Sequence, residues 1–128
     1  MIKVFGDKSA NVMERATTFF TYYLCIPQDT IILIYCIEEK EKANGMCFYE
    51  KALNEFHIDV CENENITMMV ETLAHEMVHV KQYLFDDLEK EYDSSIPYLD
   101  RWWEIEAFEE QEKMVIAFVN HIQRKEAA

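Results

Sequence analysis

The residues best suited to chemistry lie together near the middle of the chain. Positions 75–79 read His-Glu-Met-Val-His, inside the segment 66–84, where apolar residues recur at helical spacing. Residues four apart lie one turn above each other on a helix, so His75 and His79 can bind the same metal ion. Glu76 lies about 100° round the helix, where it can reach a water molecule on that metal without becoming a ligand. The pattern therefore predicts a zinc site with Glu76 as the general base.

The rest of this helix indicates that the two histidines need a partner. Its main apolar stripe lies nearly opposite to them and consists of Ile66, Val70, Leu73, Met77, Val80 and Leu84. Met68 and Val78 flank the histidines, so we expect the helix to be covered on both faces. Covered imidazoles require polar partners, and a metal ion supplies one. The alternative is a pair of ordinary helix histidines, one of them packed in the core with its ring hydrogen-bonded.

A third ligand is expected, because catalytic zinc sites typically have three protein ligands and one open position. A last helix is predicted over 100–124, with one apolar side made of Ile105, Phe108, Val115, Ile116, Val119 and Ile122. If that side faces inward, Glu104 lies within about 40° of its centre, whereas Glu106 lies about 160° away and faces solvent. An inward carboxylate needs a partner, which makes Glu104 the predicted third ligand. The alternative places Glu104 on a helix flank with its carboxylate in water.

These residues resemble a known family. His75-Glu76-x-x-His79, followed after 24 residues by Glu104-x-x-Ala107, is similar to the gluzincin type of zincin metallopeptidases. The resemblance covers about 73–109 and is greatest to the ImmA/IrrE-like peptidases and small zincin-like proteins of phages and bacteria. It implies a bound Zn²⁺ held by His75, His79 and Glu104, and hydrolysis of peptide bonds. Those enzymes usually carry Asp or Asn four residues after the ligand Glu, where Phe108 stands here.

Three strands and two further helices are predicted around the site. Ser9 is the expected N-cap of a first helix over 10–24. The apolar run 30–37 predicts a strand buried on both faces in the middle of the sheet, and 46–50 a second strand after an Asn44-Gly45 turn. In 54–61 the alternation predicts a third strand with one wet face, which carries His57. The segment 85–99 is expected to be a loop with at most a short helical piece.

The fold expected from this order is α+β. It is a minimal zincin-like domain over residues 1–128, with a small, partly antiparallel three-stranded sheet packed on the HExxH helix and two further helices. The chain has 128 residues, of which 50% are hydrophobic, which favours one compact domain. Its four cysteines contain no C-x-x-C pair, so we expect buried free thiols in a reducing compartment, with a disulfide between neighbouring strands as the alternative.

Charge and hydropathy limit the partners. The net charge of -13 argues against nucleic acid and against an anionic membrane as partners. The longest apolar run, 31–37, is too short to span a bilayer, and the first residues lack a signal-peptide core, so a cytoplasmic location is expected. The expected partner is a protein or peptide substrate, and the oligomeric state is left open.

The predicted function is zinc-dependent hydrolysis of a peptide bond. One alternative is a binding module that keeps the fold with a structural or vestigial metal, and another is an enzyme acting on a different bond. Four side chains are candidates, without ranking, for stabilising the oxyanion: Tyr83, Tyr92, Tyr98 and His57.

Overall fold

A computed structural model describes residues 1–6, 9–38, 45–62 and 65–127. The strands are β1 (Ile2–Phe5), β2 (Ile31–Ile37), β3 (Gly45–Glu50) and β4 (Glu55–Cys61). The helices are α1 (Ala10–Tyr23), α2 (Ile66–Phe85), the short α3 (Leu88–Glu91) and α4 (Trp102–Ala127), with 3₁₀ turns at Lys51–Leu53 and Tyr98–Asp100. The fold is α+β.

Over the described residues the sheet has four strands in the order β1-β2-β4-β3, so the expectation of three strands is wrong. β1, β2 and β4 are parallel, with Val4 beside Ile34 and Ile34 beside Ile58, and β3 runs antiparallel to β4. β1 was not predicted from the sequence because it is only four residues long and contains two apolar core positions. Its parallel pairing with β2 requires a crossover, which α1 provides. The central place of β2 and the partly antiparallel pairing are confirmed.

The two faces of the sheet differ in burial. Ile32 and Ile34 of β2 are fully buried, but Leu33 and Tyr35 on the other face are only half-buried, so the expected burial on both faces is wrong. The alternation predicted for β4 is confirmed, because Phe56, Ile58 and Val60 are buried. The core lies between the inner face of the sheet and the helices.

α2 lies at the centre of the molecule. It contacts β3 and β4 on one side and α4 on the other, and its residues from Leu73 to Val80 are all buried. Coverage on both faces is therefore confirmed. The helix begins after Asn65, whose side-chain oxygen accepts a hydrogen bond from the Met68 N–H as an N-cap does. Ser9 holds the N-cap position of α1 as expected, but its hydroxyl donates to Glu62 instead of capping the helix.

The inward face of α4 differs from the predicted one. Phe108, Ile116 and Val119 are 47%, 56% and 42% exposed, and the buried positions are Trp103, Glu104, Ala107, Met114, Val115 and Phe118. The helix is apolar on two sides, so the largest aliphatic residues did not identify the packed one. Glu104 is nevertheless buried, because it lies between Trp103 and Ala107 on the side that meets α2.

Smaller expectations have mixed outcomes. Cys25 is exposed and Cys36 and Cys47 are half-buried, so the expectation of buried thiols is wrong for Cys25. The short helical piece expected in the loop is confirmed as α3. The predicted Asn44-Gly45 turn lies outside the described residues except for Gly45. Across the described ranges, no helix combines the length and apolar character needed to cross a bilayer.

Candidate metal centre

The site forms where α2 packs against the first turns of α4. His75 and His79 point from α2 toward Glu104 of α4, and all three residues are buried, with 9%, 7% and 8% of their surface exposed. The Nε2 atoms of His75 and His79 lie 2.8 and 3.1 Å from Oε1 of Glu104. The structure thus brings together the three residues that the sequence nominated as metal ligands.

Two glutamines, which the sequence analysis did not identify, hold the imidazole rings from behind. The Nδ1 atom of His75 lies 2.8 Å from Oε1 of Gln111, and that of His79 lies 2.7 Å from Oε1 of Gln82. Gln82 follows His79 by three residues on α2, and Gln111 follows Glu104 by seven on α4, so helical spacing was the available signal. Partners on the far nitrogen of a ligand histidine fix the orientation and tautomer of its ring.

The amide of Gln82 can adopt only one orientation. Its Nε2 donates to the carbonyl of Trp103 and to Oε1 of Glu106, both at 2.9 Å, and both groups are acceptors. Its Oε1 therefore faces Nδ1 of His79 and accepts a hydrogen bond from it. The proton of neutral His79 consequently lies on Nδ1, and the lone pair of Nε2 points toward Glu104.

Glu106 has a different role from the expected one. Its side chain was predicted to face solvent, but it accepts hydrogen bonds from Gln82 and from Lys81, whose Nζ lies 3.2 Å away. The reason is that the packed face of α4 differs from the predicted one, so Glu106 lies toward α2. Lys81 is itself held by Asp86 at 2.8 Å. A chain of polar contacts thus runs from the surface through Glu106 and Gln82 to His79.

The electrostatics of the three central side chains favour a cation. Burial raises the pKa of Glu104, but the rings of His75 and His79 outweigh that effect and lower it to about 2, so the carboxylate is ionised at neutral pH. Burial lowers the pKa of His79, and the contact with Glu104 more than offsets this, so the pKa is raised. Neutral rings would direct lone pairs at a carboxylate oxygen. A second proton on each ring, or a cation, relieves that repulsion.

The geometry fits a metal ion. The candidate ligand atoms of His75, His79 and Glu104 lie within 4.8 Å of one another. Histidine nitrogens and carboxylate oxygens bind first-row metals at about 2.0–2.2 Å, which places neighbouring ligand atoms roughly 3.3 Å apart. The observed separations of 2.8 and 3.1 Å are close to that value. The group could therefore hold a metal ion after small side-chain movements.

Glu76 lies beside this group without joining it. Its side chain is 5% exposed and lines the same cleft, near the start of β3. A Cβ added to Gly45 would lie 3.1 Å from Cγ of Glu76 and 2.6 Å from Cγ2 of Thr72, so the strand approaches the helix this closely because residue 45 is glycine. Burial raises the pKa of Glu76, although His79 and His75 lower it in part. A carboxylate of raised pKa in a cleft is suited to accept a proton.

The cleft in front of the site has a volume of about 470 Å³. Its walls come from the start of β3, from α2, from the segment 88–101 and from the first turns of α4. Tyr83, Tyr92 and Tyr98 line it, whereas His57 lies on the outer face of the sheet. The Tyr98 hydroxyl donates to Oε1 of Glu104 at 3.2 Å, and burial together with Glu104 raises the pKa of Tyr98 to about 12. Tyr98 is thus a hydroxyl donor in direct contact with the candidate ligand set.

Phe108 stands where the resembled enzymes carry Asp or Asn. Its ring packs edge-on against His75, with the ring centroids 4.6 Å apart. Gln111, one turn further along α4, makes the hydrogen bond to His75 instead. Gln111 therefore provides the polar support of His75.

Comparison with models of protein families, with curated proteins and with solved structures gives no match for this chain.

Proposed function

We propose that this protein is a zinc-dependent peptidase. The observation that carries the proposal is the convergence of two imidazole nitrogens and one carboxylate on the wall of an open cleft, with the separate carboxylate of Glu76 beside them. Two histidines and a glutamate form a donor set that suits zinc and leaves a coordination position open. The gluzincin-like spacing of these residues supports the same proposal.

The residues of the chain divide the work. His75, His79 and Glu104 hold the ion, and Gln82 and Gln111 keep the Nε2 lone pairs directed at it. A bound zinc ion supplies a Lewis acid that polarises the scissile carbonyl and makes a water molecule more acidic. Glu76 accepts the proton of the attacking water and passes it to the leaving amine. Tyr98 places its hydroxyl where it can donate to the carbonyl oxygen as negative charge develops there.

The sheet offers a place for the substrate backbone. β3 is an edge strand, and its residues Gly45, Met46 and Cys47 line the cleft. The free edge of such a strand presents backbone N–H and C=O groups that an extended peptide can pair with. A peptide bound in this way would pass Glu76, because Gly45 lies directly against that side chain.

A second candidate is a binding module that keeps the same fold. The observation in its favour is that the histidines, Glu104 and both glutamines are hydrogen-bonded to one another, so the polar cluster has internal partners. Such a protein would bind its partner through the cleft without turnover.

One experiment separates the candidates. Metal content is measured on the purified wild type and on Glu76→Gln, and cleavage of an unstructured peptide library is then compared at equal zinc occupancy. A peptidase should hold about one zinc per chain in both proteins, and the variant should lose hydrolysis by roughly a hundredfold or more, because it lacks the general base. Zinc binding without cleavage by either protein would favour the binding module. No uptake of added zinc would remove the peptidase proposal.

A further inference from the structure

Arg101 occupies an unusual place in the cleft. It immediately precedes α4, and within the described part of the chain no other Lys or Arg lines the cleft. Its Nε donates to the carbonyl of Ile96 at 2.9 Å and its Nη2 to the carbonyl of Ser94 at 3.2 Å. Neutral carbonyls therefore position the guanidinium without neutralising its charge.

Aromatic rings complete the surroundings of this cation. The guanidinium carbon lies 5.8 Å from the ring centre of Tyr92 and 5.6 Å from that of Tyr98. Such contacts stabilise a cation without neutralising it. The positive end of the α4 dipole lies at the same position and adds to the local potential.

Arg101 lacks an ion pair with the described carboxylates, in contrast to several lysines of this acidic chain. The chain has 25 acidic and 12 basic residues, and Lys51, Lys81, Lys90 and Lys113 form ion pairs, whereas Lys3, Arg15, Arg124 and Lys125 form none with the described carboxylates. Arg101 forms none with the carboxylates that the structure describes. Asp93, on the same loop, accepts hydrogen bonds from the N–H and hydroxyl of Ser95 at 2.9 and 2.7 Å. Asp93 interacts with Arg101 electrostatically but forms no ion pair with it, so the half-buried guanidinium can still bind a carboxylate from outside.

Tyr98 connects this cation to the candidate metal centre. Its hydroxyl donates to Glu104, while its ring faces Arg101. A carboxylate bound at Arg101 would therefore hold the rest of a peptide across Tyr98 and toward His75, His79 and Glu104. Arg101 thus lies one side chain away from the place where hydrolysis would occur.

We propose that Arg101 binds a carboxylate of the substrate and so selects which peptide bond reaches Glu76. The proposal rests on the proposed peptidase function. The carboxylate comes either from the C-terminus of the peptide or from an Asp or Glu side chain on the C-terminal side of the scissile bond. The first source would make the protein an enzyme that trims peptides from their C-terminus. Peptides without a carboxylate that can reach Arg101 while the scissile bond lies at Glu76 would bind through their backbone alone and be cleaved more slowly.

The test uses two forms of one library of N-acetylated peptides, with free carboxyl termini and with carboxyl-terminal amides. Wild type, Arg101→Gln and the control Lys113→Gln are loaded with zinc, and cleavage sites and rates are read by mass spectrometry. Lys113→Gln removes the same charge from an exposed position of α4 outside the cleft. If the terminal carboxylate is bound, wild type and control should prefer the free-carboxyl library, and Arg101→Gln should lose about tenfold to a hundredfold in kcat/KM on that library and less than about twofold on the amides. If a side chain is bound, Arg101→Gln should lose a similar factor on the peptides of both libraries that carry Asp or Glu beyond the cut.

The positions of the cuts show which carboxylate Arg101 binds, and two results would contradict the proposal. Cuts at a fixed distance from the C-terminus identify the terminal carboxylate, and cuts at a fixed distance before Asp or Glu in both libraries identify a side chain. An equal loss on both libraries that does not depend on an Asp or Glu near the cut would mean that Arg101 only supports the loop, and an unchanged preference would also overturn the proposal.

A binding measurement covers failure of the peptidase proposal itself. Zinc-loaded Glu76→Gln, with and without Arg101→Gln, is equilibrated with both libraries and the retained peptides are compared. Selective retention of free-carboxyl peptides, lost with Arg101→Gln, would support the carboxylate site even if no protein cleaves. Equal retention of both libraries by both variants would overturn it.

Discussion

Histidines lie beside a glutamate in two regions of the molecule, the α2/α4 layer and the outer face of the sheet. On the sheet, His57 has Glu55 at 2.7 Å from its Nε2 and the Tyr35 hydroxyl at 3.1 Å from its Nδ1. Between the helices, His75 and His79 share Glu104 and are held from behind by Gln111 and Gln82. Among the described residues, only the second region could hold a metal ion.

The difference lies in convergence and in the control of protons. A tyrosine hydroxyl both donates and accepts, so Tyr35 does not determine the tautomer of His57, and no second imidazole points at Glu55. The oriented amide of Gln82 does determine the tautomer of His79. Contact with a glutamate is therefore insufficient for a metal site. Two imidazole rings must direct their Nε2 lone pairs at one point, and acceptors bound to Nδ1 must hold the ring protons on that nitrogen.

The largest expected effect tests this contrast between the two regions directly. His75→Ala should lower zinc affinity by more than about a hundredfold and abolish stabilisation by zinc, because a ligand is removed. His57→Ala should keep about one zinc per chain. Metal analysis and melting curves with and without zinc measure both. Equal zinc loss in the two variants would show that the helix layer is not the binding site.

The carboxylates provide the next comparison. Glu104→Gln should weaken zinc binding by about tenfold or more, because a neutral amide oxygen replaces an ionised ligand. Glu55→Gln, which changes the partner of His57, should leave the affinity within about twofold. Competition with a chelator of known affinity measures each value. A comparable loss in Glu55→Gln would contradict the assignment of Glu104.

Removal of a histidine support should have a smaller effect. Gln82→Leu keeps the volume at a fully buried position but removes the acceptor of the His79 N–H, so zinc affinity should fall by about tenfold. Gln111→Leu should do less, because Gln111 is only half-buried and water can replace its oxygen. Chelator competition on both variants, with unfolding curves of the metal-free proteins, separates affinity from stability. A larger loss of zinc affinity in Gln111→Leu than in Gln82→Leu would show that Gln111 is the more important of the two histidine supports.

These residues also show how far the sequence alone could lead. The spacing of His75, Glu76 and His79 on one helix, with Glu104 on a later helix, placed four side chains in one cleft because helical periodicity constrains direction strongly. Gln82 and Gln111 escaped notice because glutamine is common on exposed helix faces and its role depends on which atoms face it. Glu106 was misplaced because α4 is apolar on two sides and only the packed structure decides between them.

The fold was predictable to a similar degree and for similar reasons. β4 alternates strictly and was found, whereas β1 has too few residues for its period to be distinguished from an irregular end. The position of Arg101 could not be found, since it depends on carbonyl groups of a loop whose path no local pattern determines.

The close contact between β3 and α2 gives a further prediction. Gly45→Ala should reduce turnover several-fold while zinc affinity stays unchanged, because the new methyl group displaces Glu76 and Thr72 but touches no predicted ligand. Gly6→Ala is the matched control, since its Cβ would approach Cys36 at 2.9 Å, away from the cleft. Both should lower stability, but only Gly45→Ala should lower the activity per folded molecule. Equal losses of activity per folded molecule in Gly45→Ala and Gly6→Ala would show that Gly45 does not position Glu76.

The smallest expected effect concerns the outer end of the polar chain. Glu106→Gln keeps an acceptor for Gln82 but loses the charge that pairs with Lys81, so zinc affinity should fall by no more than about threefold. Measurement at low and high salt should show that this small effect disappears at high salt, because the pair with Lys81 is partly exposed. A tenfold loss independent of salt would place Glu106 among the groups that determine the His79 tautomer.

The separation of the ligands along the chain has a consequence for motion. Between His79 and Glu104 lie 24 residues, and this stretch contains α3, a 3₁₀ turn and the connecting segments, with Tyr92, Tyr98 and Arg101 among its residues. An ion held at both ends closes this stretch into a ring, as a disulfide would, and lowers the entropy of its open conformations. Without the ion, amide hydrogens across 86–101 should exchange with solvent sooner than those of β2 and β4. Arrival of the ion and completion of this wall of the cleft would then be the same event.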